Sequence, residues 1–386
     1  MNVKLKVLVS AMGLMLSTNA LAETEVEKLR ADVDELKKEV QKAAEWKEPS
    51  TLIHMSGYAS IGYSSAENAN DSFTAGGFSP IFHYQYRDLV MLESELELEV
   101  EADGSTKVEL EYLTIDLFIN DYIIFVGGKF LSPVGQFRQN LHPSWVNKLP
   151  SAPPGFGHDG AAPVSDIGMQ LRGGFPVGGI RSNYAVYVSN GPELISEWDG
   201  SGFELDGVEA EGKNTDQDNK KVIGGRYAIL PVANLELGLS AVTGKATVTS
   251  VEGTGAPALV NEQVRDYDVL GFDFAWQMKG IALRGEYVKT KVGDATAGTS
   301  ASAGAEWTTW YTQFAYKFLP TKFETVVRYT DFDSVGTSND QEQWVLGVNY
   351  LFTNTVIGKI AYELNDGATG STADDDRLLL QLAYGF

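Results

Sequence analysis

Five glutamates occupy every second position of one short stretch: Glu93, Glu95, Glu97, Glu99 and Glu101, the last four separated by Leu96, Leu98 and Val100. Side chains of an extended chain alternate between two faces, so all five carboxylates share one face. Glu109 and Glu111 follow at the same spacing on the next such stretch. Basic residues fall on the polar phase of other stretches: Lys129, Arg172, Arg181, Arg226, Arg284, Lys317, Arg328, Lys359 and Arg377. Two uses of this pattern are open. Opposed charged walls orient a polar solute and its hydration, or the same groups pair with one another and brace the wall. The glutamate ladder is too dense to stand without counter-ions or partners.

Other chemistry is set aside on composition and spacing. The chain has no Cys, which excludes a thiol nucleophile, a disulfide scaffold, iron–sulfur clusters and Cys-type zinc sites. Four histidines remain: His54, His83, His142 and His158. His142 and His158 lie in one connection, and two His do not make a zinc site. His54 and His83 lie near different ends of early strands, with no Ser or Asp partner implied for acyl-transfer chemistry. The glycine-rich run Gly173–Gly179 has no helix after it, so it reads as a hairpin turn and not as a phosphate loop. Asp374, Asp375 and Asp376 lack the spacing of a calcium loop. No catalytic residue, metal or cofactor is expected. With 30 basic against 52 acidic residues and a net charge of −22, the chain lacks the basic footprint that nucleic-acid binding needs.

The charged residues have to be positioned by strands. From Leu52 onward the apolar residues recur with period two, as in Leu235, Leu237, Leu239; Leu270, Phe272, Phe274, Trp276; and Leu378, Leu380, Leu382, Tyr384. Sixteen such segments are predicted, near 52–63, 80–87, 89–101, 106–118, 122–131, 164–174, 180–189, 220–230, 235–245, 264–277, 281–291, 305–318, 322–331, 342–351, 355–364 and 375–386. Within 106–118 the phase flips near Leu113, which predicts a bulge. Most segments have the length a tilted strand needs to cross a bilayer. After the N-terminus no apolar run is long enough for a membrane helix.

Connections alternate short and long in strict turn, with Ala102–Ser105 the one tight member of the long set. A soluble sandwich has no reason to sort loop lengths by parity; a transmembrane β-barrel does. Aromatics form two belts. Trp276, Phe318, Phe323, Tyr350, Phe352 and Tyr384 lie by short turns; Tyr63, Tyr287, Trp310, Tyr329, Trp344 and Tyr362 lie toward long loops. The expected fold is an all-β, antiparallel transmembrane barrel of about sixteen strands over residues 50–386, wide enough to hold water. Lipid and lipopolysaccharide would surround it, and small hydrophilic solutes would pass inside.

Two connections stand out. Residues 132–163 are rich in Pro and Gly and carry Arg138, His142, Lys148 and His158. A loop of this length is expected to pack, and inside a wide barrel it folds inward as a constriction. Residues 190–219 hold nine acids and the single base Lys213, which reads as a solvated acidic loop.

Residues 1–22 have the pattern of an export signal: Lys4 and Lys6, an apolar run over 7–16, then Ala20-Leu21-Ala22. Over 23–48, Val26, Leu29, Val33, Leu36, Val40 and Ala43 form a heptad seam. Glu25, Asp32 and Glu39 face Arg30 and Lys37 at g and e positions, and Pro49 ends the helix. This periplasmic coiled coil implies a homo-oligomer, with Val at a and Leu at d leaning to two strands.

Export signal, short coil and sixteen-stranded barrel together resemble the phosphate-selective porin O/P family and similar coiled-coil porins. Val126-Gly127-Gly128-Lys129-Phe130-Leu131-Ser132-Pro133-Val134-Gly135 is similar to the family's strand before the third loop, and Asp166-Ile167-Gly168-Met169-Gln170-Leu171-Arg172-Gly173 to the strand after it. The resemblance implies a trimer in the bacterial outer membrane, each subunit with its own diffusion channel. A phosphate filter needs a dense basic ladder, whereas here Arg residues face a Glu wall. The expected function is passive diffusion of small hydrophilic solutes or ions. The alternatives are a channel specific for phosphate or another anion, a dicarboxylate or a siderophore, and a closed structural or adhesive barrel.

Overall fold

A computed structural model describes residues 33–34, 51–157, 160–335 and 340–386. The export signal and nearly all of the coil lie outside the described residues; Val33 and Asp34 are helical. The chain divides into two compact units, residues 1–54 with 84–87, and residues 55–83 with 88–386. In the first, residues 51–54 are extended and the Arg87 guanidinium lies 5.2 Å from the centre of the Tyr86 ring. The second unit carries nearly all of the sheet.

Among the described residues nineteen strands form one sheet: β1 (Thr51–Ala66), β2 (Ser72–Thr74), β3 (Gly77–Tyr86), β4 (Val90–Val100), β5 (Thr106–Asn120), β6 (Ile123–Leu131), β7 (Ser165–Val177), β8 (Ile180–Ser189), β9 (Glu193–Trp198), β10 (Phe203–Glu209), β11 (Val222–Val232), β12 (Leu235–Glu252), β13 (Arg265–Met278), β14 (Ile281–Val292), β15 (Ala305–Lys317), β16 (Phe323–Asp333), β17 (Gln341–Leu351), β18 (Val356–Gly367) and β19 (Arg377–Gly385). Sixteen are the staves of a closed antiparallel barrel. The circle closes between β1 and β19, from Tyr58 opposite Gly385 to Ala66 opposite Arg377. Closure leaves no edge to pair with another chain.

The three extra strands come from long connections. β2 is three residues against β1. β9 and β10 form a hairpin from the acidic 190–219 segment, and β9 adds in parallel to the far end of β12, Glu193 opposite Thr247. This corrects the reading of that segment as a solvated loop. Its acids alternate with apolar residues, and Leu194, Leu205 and Val208 are buried in one hydrophobic cluster with Val248 and Tyr267.

Short turns follow local chemistry. Gly178 and Gly179 both have positive φ, 57° and 85°, between the paired Val177 and Ile180. That is the type I′ hairpin turn, whose twist matches the strands it joins. The bulge falls where the phase flip put it. Glu95 faces Tyr112 and Leu96 faces Leu110, leaving Glu111 unopposed.

Alternate positions along the staves are buried or exposed. The exposed phase is apolar, with Ile61, Leu239, Leu270, Leu346 and Ile360 among its members. The aromatic belts are continuous: Tyr329 stands 5.2 Å from Trp310 and 4.8 Å from Trp344, and Tyr350 stands 5.0 Å from Phe323 and 4.8 Å from Phe352. No described helix is long and apolar enough to cross a membrane, which says nothing of strands.

Candidate functional site

The 132–163 loop is built across the inward face of β12 to β18. After β6 the chain turns into a five-residue π-helix, Phe137–Leu141. Just before it, the Gly135 N–H donates to Ser240 Oγ at 3.2 Å, and the Gln136 amide donates to Asp273 at 3.0 Å. The backbone N–H groups of Gln136 and Phe137 both donate to Glu286 Oε2, at 2.9 and 3.2 Å. The other oxygen of Glu286 accepts from the Tyr311 hydroxyl at 2.6 Å. Glu286 is buried, and these donors satisfy a charge that would otherwise be costly inside the barrel.

Further along, Asn349 donates to the Lys148 carbonyl at 2.9 Å. Arg328 donates to the carbonyls of Ser151 and Ala152 at 3.0 and 3.1 Å. Lys359 donates to the Ser144 and Leu149 carbonyls and to Gln381. Thr309 and Thr290 donate to the carbonyls of Pro154 and Ala161, at 2.8 and 2.6 Å. Apolar packing completes the attachment. Phe137 and Phe156 join Val126, Phe130, Tyr267, Trp307 and Tyr311 in one cluster, and Leu149 joins Val326 and Val345 in another.

The loop therefore fills one side of the interior, and open space is left along β1, β4 and β5. A cavity of about 490 Å³ there is bordered by Glu97, Glu99, Glu101 and Glu111 on the wall and by Arg138 and His142 on the loop. A second, of about 230 Å³, continues toward the short-turn end, bordered by Glu93, Glu95, Tyr112, His142 and Arg172. Carboxylates two residues apart on a strand are about 7 Å apart, so Glu101 to Glu93 make a file of acids along the path. His142 borders both cavities. Its Nδ1 contacts the Arg138 carbonyl, and its Nε2 lies 3.9 Å from Glu95. Glu95 is buried and accepts a 2.7 Å bond from the Tyr58 hydroxyl.

Arg138 is 6% exposed, and its Nε is buried with no hydrogen-bond partner. Burial pushes its guanidinium below the ordinary arginine range, while Glu111, Glu211 and Glu97 pull it back up. The group stays charged at any working pH.

The basic residues read from the sequence divide into three groups. Arg328 and Lys359 hold loop carbonyls, as above. Arg226, Arg172 and Arg377 are engaged with carboxylates: Arg226 grips Asp273 through two bonds of 2.8 and 2.6 Å and also reaches Glu236 at 2.9 Å, Arg172 pairs with Asp116, and Arg377 bonds Glu363 at 2.8 Å. Arg181, Arg284 and Lys317 sit on the inward phase near short turns. Lys129 is corrected. It faces Leu113 in register and shares that residue's outward phase, and its Nζ donates to the Leu110 carbonyl at 2.9 Å. Lys148 is turned from the acidic file and pairs with Glu324. Glu109 is bridged at 2.8 Å by Lys107, a base the sequence reading missed. His158 lies outside the described residues. Glu286, Asp273 and Tyr58 were also missed. Each stands on the polar phase of its strand, but nothing local says what it will hold.

No family model and no curated protein matches the chain. Among solved structures, the anion-selective porin from Comamonas acidovorans is similar over 87% of this chain and 100% of its own, with a TM-score of 0.58 and 14% identity. OmpT, an in-vitro folded outer membrane protein of Vibrio cholerae in its trimer form, is similar over 87% and 100%, with a TM-score of 0.54 and 10% identity. Salmonella typhi OmpF in complex with daunomycin is similar over 87% and 98%, with a TM-score of 0.53 and 12% identity. At these identities the likeness is one of fold: the chain shares the porin-type barrel.

Proposed function

We propose that this chain is an outer-membrane porin that lets small hydrophilic solutes diffuse through its barrel, cations ahead of anions. One observation carries the reading. The loop fills one side of the interior, and the cavities left beside it are bordered by a file of glutamates. Arg328 and Lys359 are committed to loop carbonyls, Arg226, Arg172 and Arg377 to carboxylates and Lys129 to the outward face, so Arg138 is the one guanidinium bordering the larger cavity. The export signal, the N-terminal coil and assembly as a trimer belong to the same reading, as does the layout shared with phosphate-selective porins. Phosphate itself does not, because an acidic passage repels it.

The test is single-channel recording in a planar bilayer. Steady KCl current from the purified chain is the expected result. A closed structural barrel gives no current, and a phosphate-specific channel gives a KCl current that phosphate blocks at low concentration. The membrane face has its own test. Leu239 is exposed on β12 a few residues from the short-turn end, near the mid-depth of a bilayer. Leu239→Arg should destabilise the folded barrel by about 2–4 kcal/mol. The readout is the urea midpoint of the compact form in lipid, and an unchanged midpoint would place that face in water.

A further inference from the structure

Resting on the porin reading, we propose that the cavity beside Arg138 recognises basic amino acids, with Arg138 as the receptor for their α-carboxylate. Four carboxylates border this cavity, and Arg138 is the one guanidinium among its lining residues. Its side chain is more than nine-tenths buried, its Nε has no partner, and no ion pair within 4.0 Å involves it among the described residues. A guanidinium offers five donors in a planar fork that fits a carboxylate through two parallel bonds. Left unfilled in a buried place, such a fork is costly. The hydroxyl of Ser144, also buried without a partner, borders the same cavity.

A simple anion cannot fill the fork, because the surrounding glutamates repel it. A simple cation is drawn to the glutamates but leaves the fork empty. A solute that carries a carboxylate and an excess of positive charge satisfies both sides at once. Basic α-amino acids are the smallest solutes of this kind, and a cavity of about 490 Å³ is within the range of small-molecule sites.

L-arginine and agmatine separate the two contributions, since agmatine is arginine without the carboxylate. Each is added to a bilayer carrying wild-type channels, and the half-blocking concentration of the KCl current is read. Arginine should block at about tenfold lower concentration than agmatine, the size of one charge-assisted contact. Arg138→Gln should erase that ratio while agmatine block persists. Arg138→Lys keeps the charge and loses the fork; it should lose most of the ratio, and it serves if the Gln variant fails to assemble. Equal block by the two solutes in wild type, or a ratio unchanged in either variant, overturns the proposal and leaves the porin reading standing. A wild-type channel with no KCl current overturns both.

Discussion

Replacing Glu97, Glu99, Glu101 and Glu111 together by Gln is expected to abolish the cation preference of the channel. The measurement is the reversal potential across a bilayer in a KCl gradient. A K⁺ ion about 6 Å from one carboxylate in water gains ~0.7 kcal/mol. Screening over a Debye length of about 8 Å roughly halves that. With the carboxylates about 7 Å apart the neighbours add less than the nearest one, and Arg138 offsets one of the four charges, so the net gain is about 0.5 kcal/mol, or roughly twofold in local K⁺. Without the four carboxylates Arg138 remains, and the sign should invert or fall to near zero. Glutamine keeps the shape and hydrogen-bonding capacity of each side chain, so the barrel should assemble normally. Glu193 and Glu197 lie on β9, away from the 490 Å³ cavity; neutralising them is the control and should leave the potential in place. A wild-type potential on the anion side, or a quadruple variant equal to wild type, would remove the acidic file from the permeation path.

What was legible in the sequence is what a bilayer imposes uniformly. Every stave must present apolar residues outward, so Leu235, Leu237 and Leu239 or Leu270, Phe272 and Phe274 announce their strands without knowledge of any partner. The bulge was legible too, because an extra residue must break the alternation, and Glu111 beside Tyr112 does so. Lys129 was misread where that signal fails. Ile123, Ile124, Phe125 and Val126 are apolar on both phases, and Gly127 and Gly128 carry no side chain to mark a face. The β9–β10 hairpin was hidden by its charge, since nine acids in one segment read as solvent-exposed although Leu194, Leu205 and Val208 are buried. Within the site, the glutamate file was visible because it is local. The partners of the basic residues were not. Arg226 on β11 meets Asp273 on β13 over the side-chain-free Gly238 of β12, and Arg328 meets Ser151 because the loop crosses the barrel, at sequence separations of 47 and 177. Pairing at such distance leaves no periodicity to read.

The largest change in conductance is expected from releasing the loop. Glu286→Ala, Arg328→Ala and Lys359→Ala in one chain remove the acceptor of two loop N–H groups and the donors to the carbonyls of Ser144, Leu149, Ser151 and Ala152. Hydrogen bonds to charged groups are each worth about 1.5–3 kcal/mol. Polar loop groups left without partners inside the barrel add a cost that is relieved only by reaching water. The packing of Leu149 against Val326 and Val345 works against release, which is why three anchors are removed and not one. The ladder hydrogen bonds of the staves are backbone bonds and are untouched, so the closed sheet should survive, read as retention of the compact form in cold detergent. With the loop loosened, a sixteen-stranded barrel has room for a much wider aqueous path. Single-channel conductance should rise by roughly twofold or more, with larger open-channel noise as the loop moves in and out of the path. Cation preference should weaken in the same variant, since ions that travel farther from the glutamates than a Debye length no longer sense them. Unchanged conductance together with unchanged noise would mean that the apolar contacts alone hold the loop and that the three buried charges serve the barrel wall.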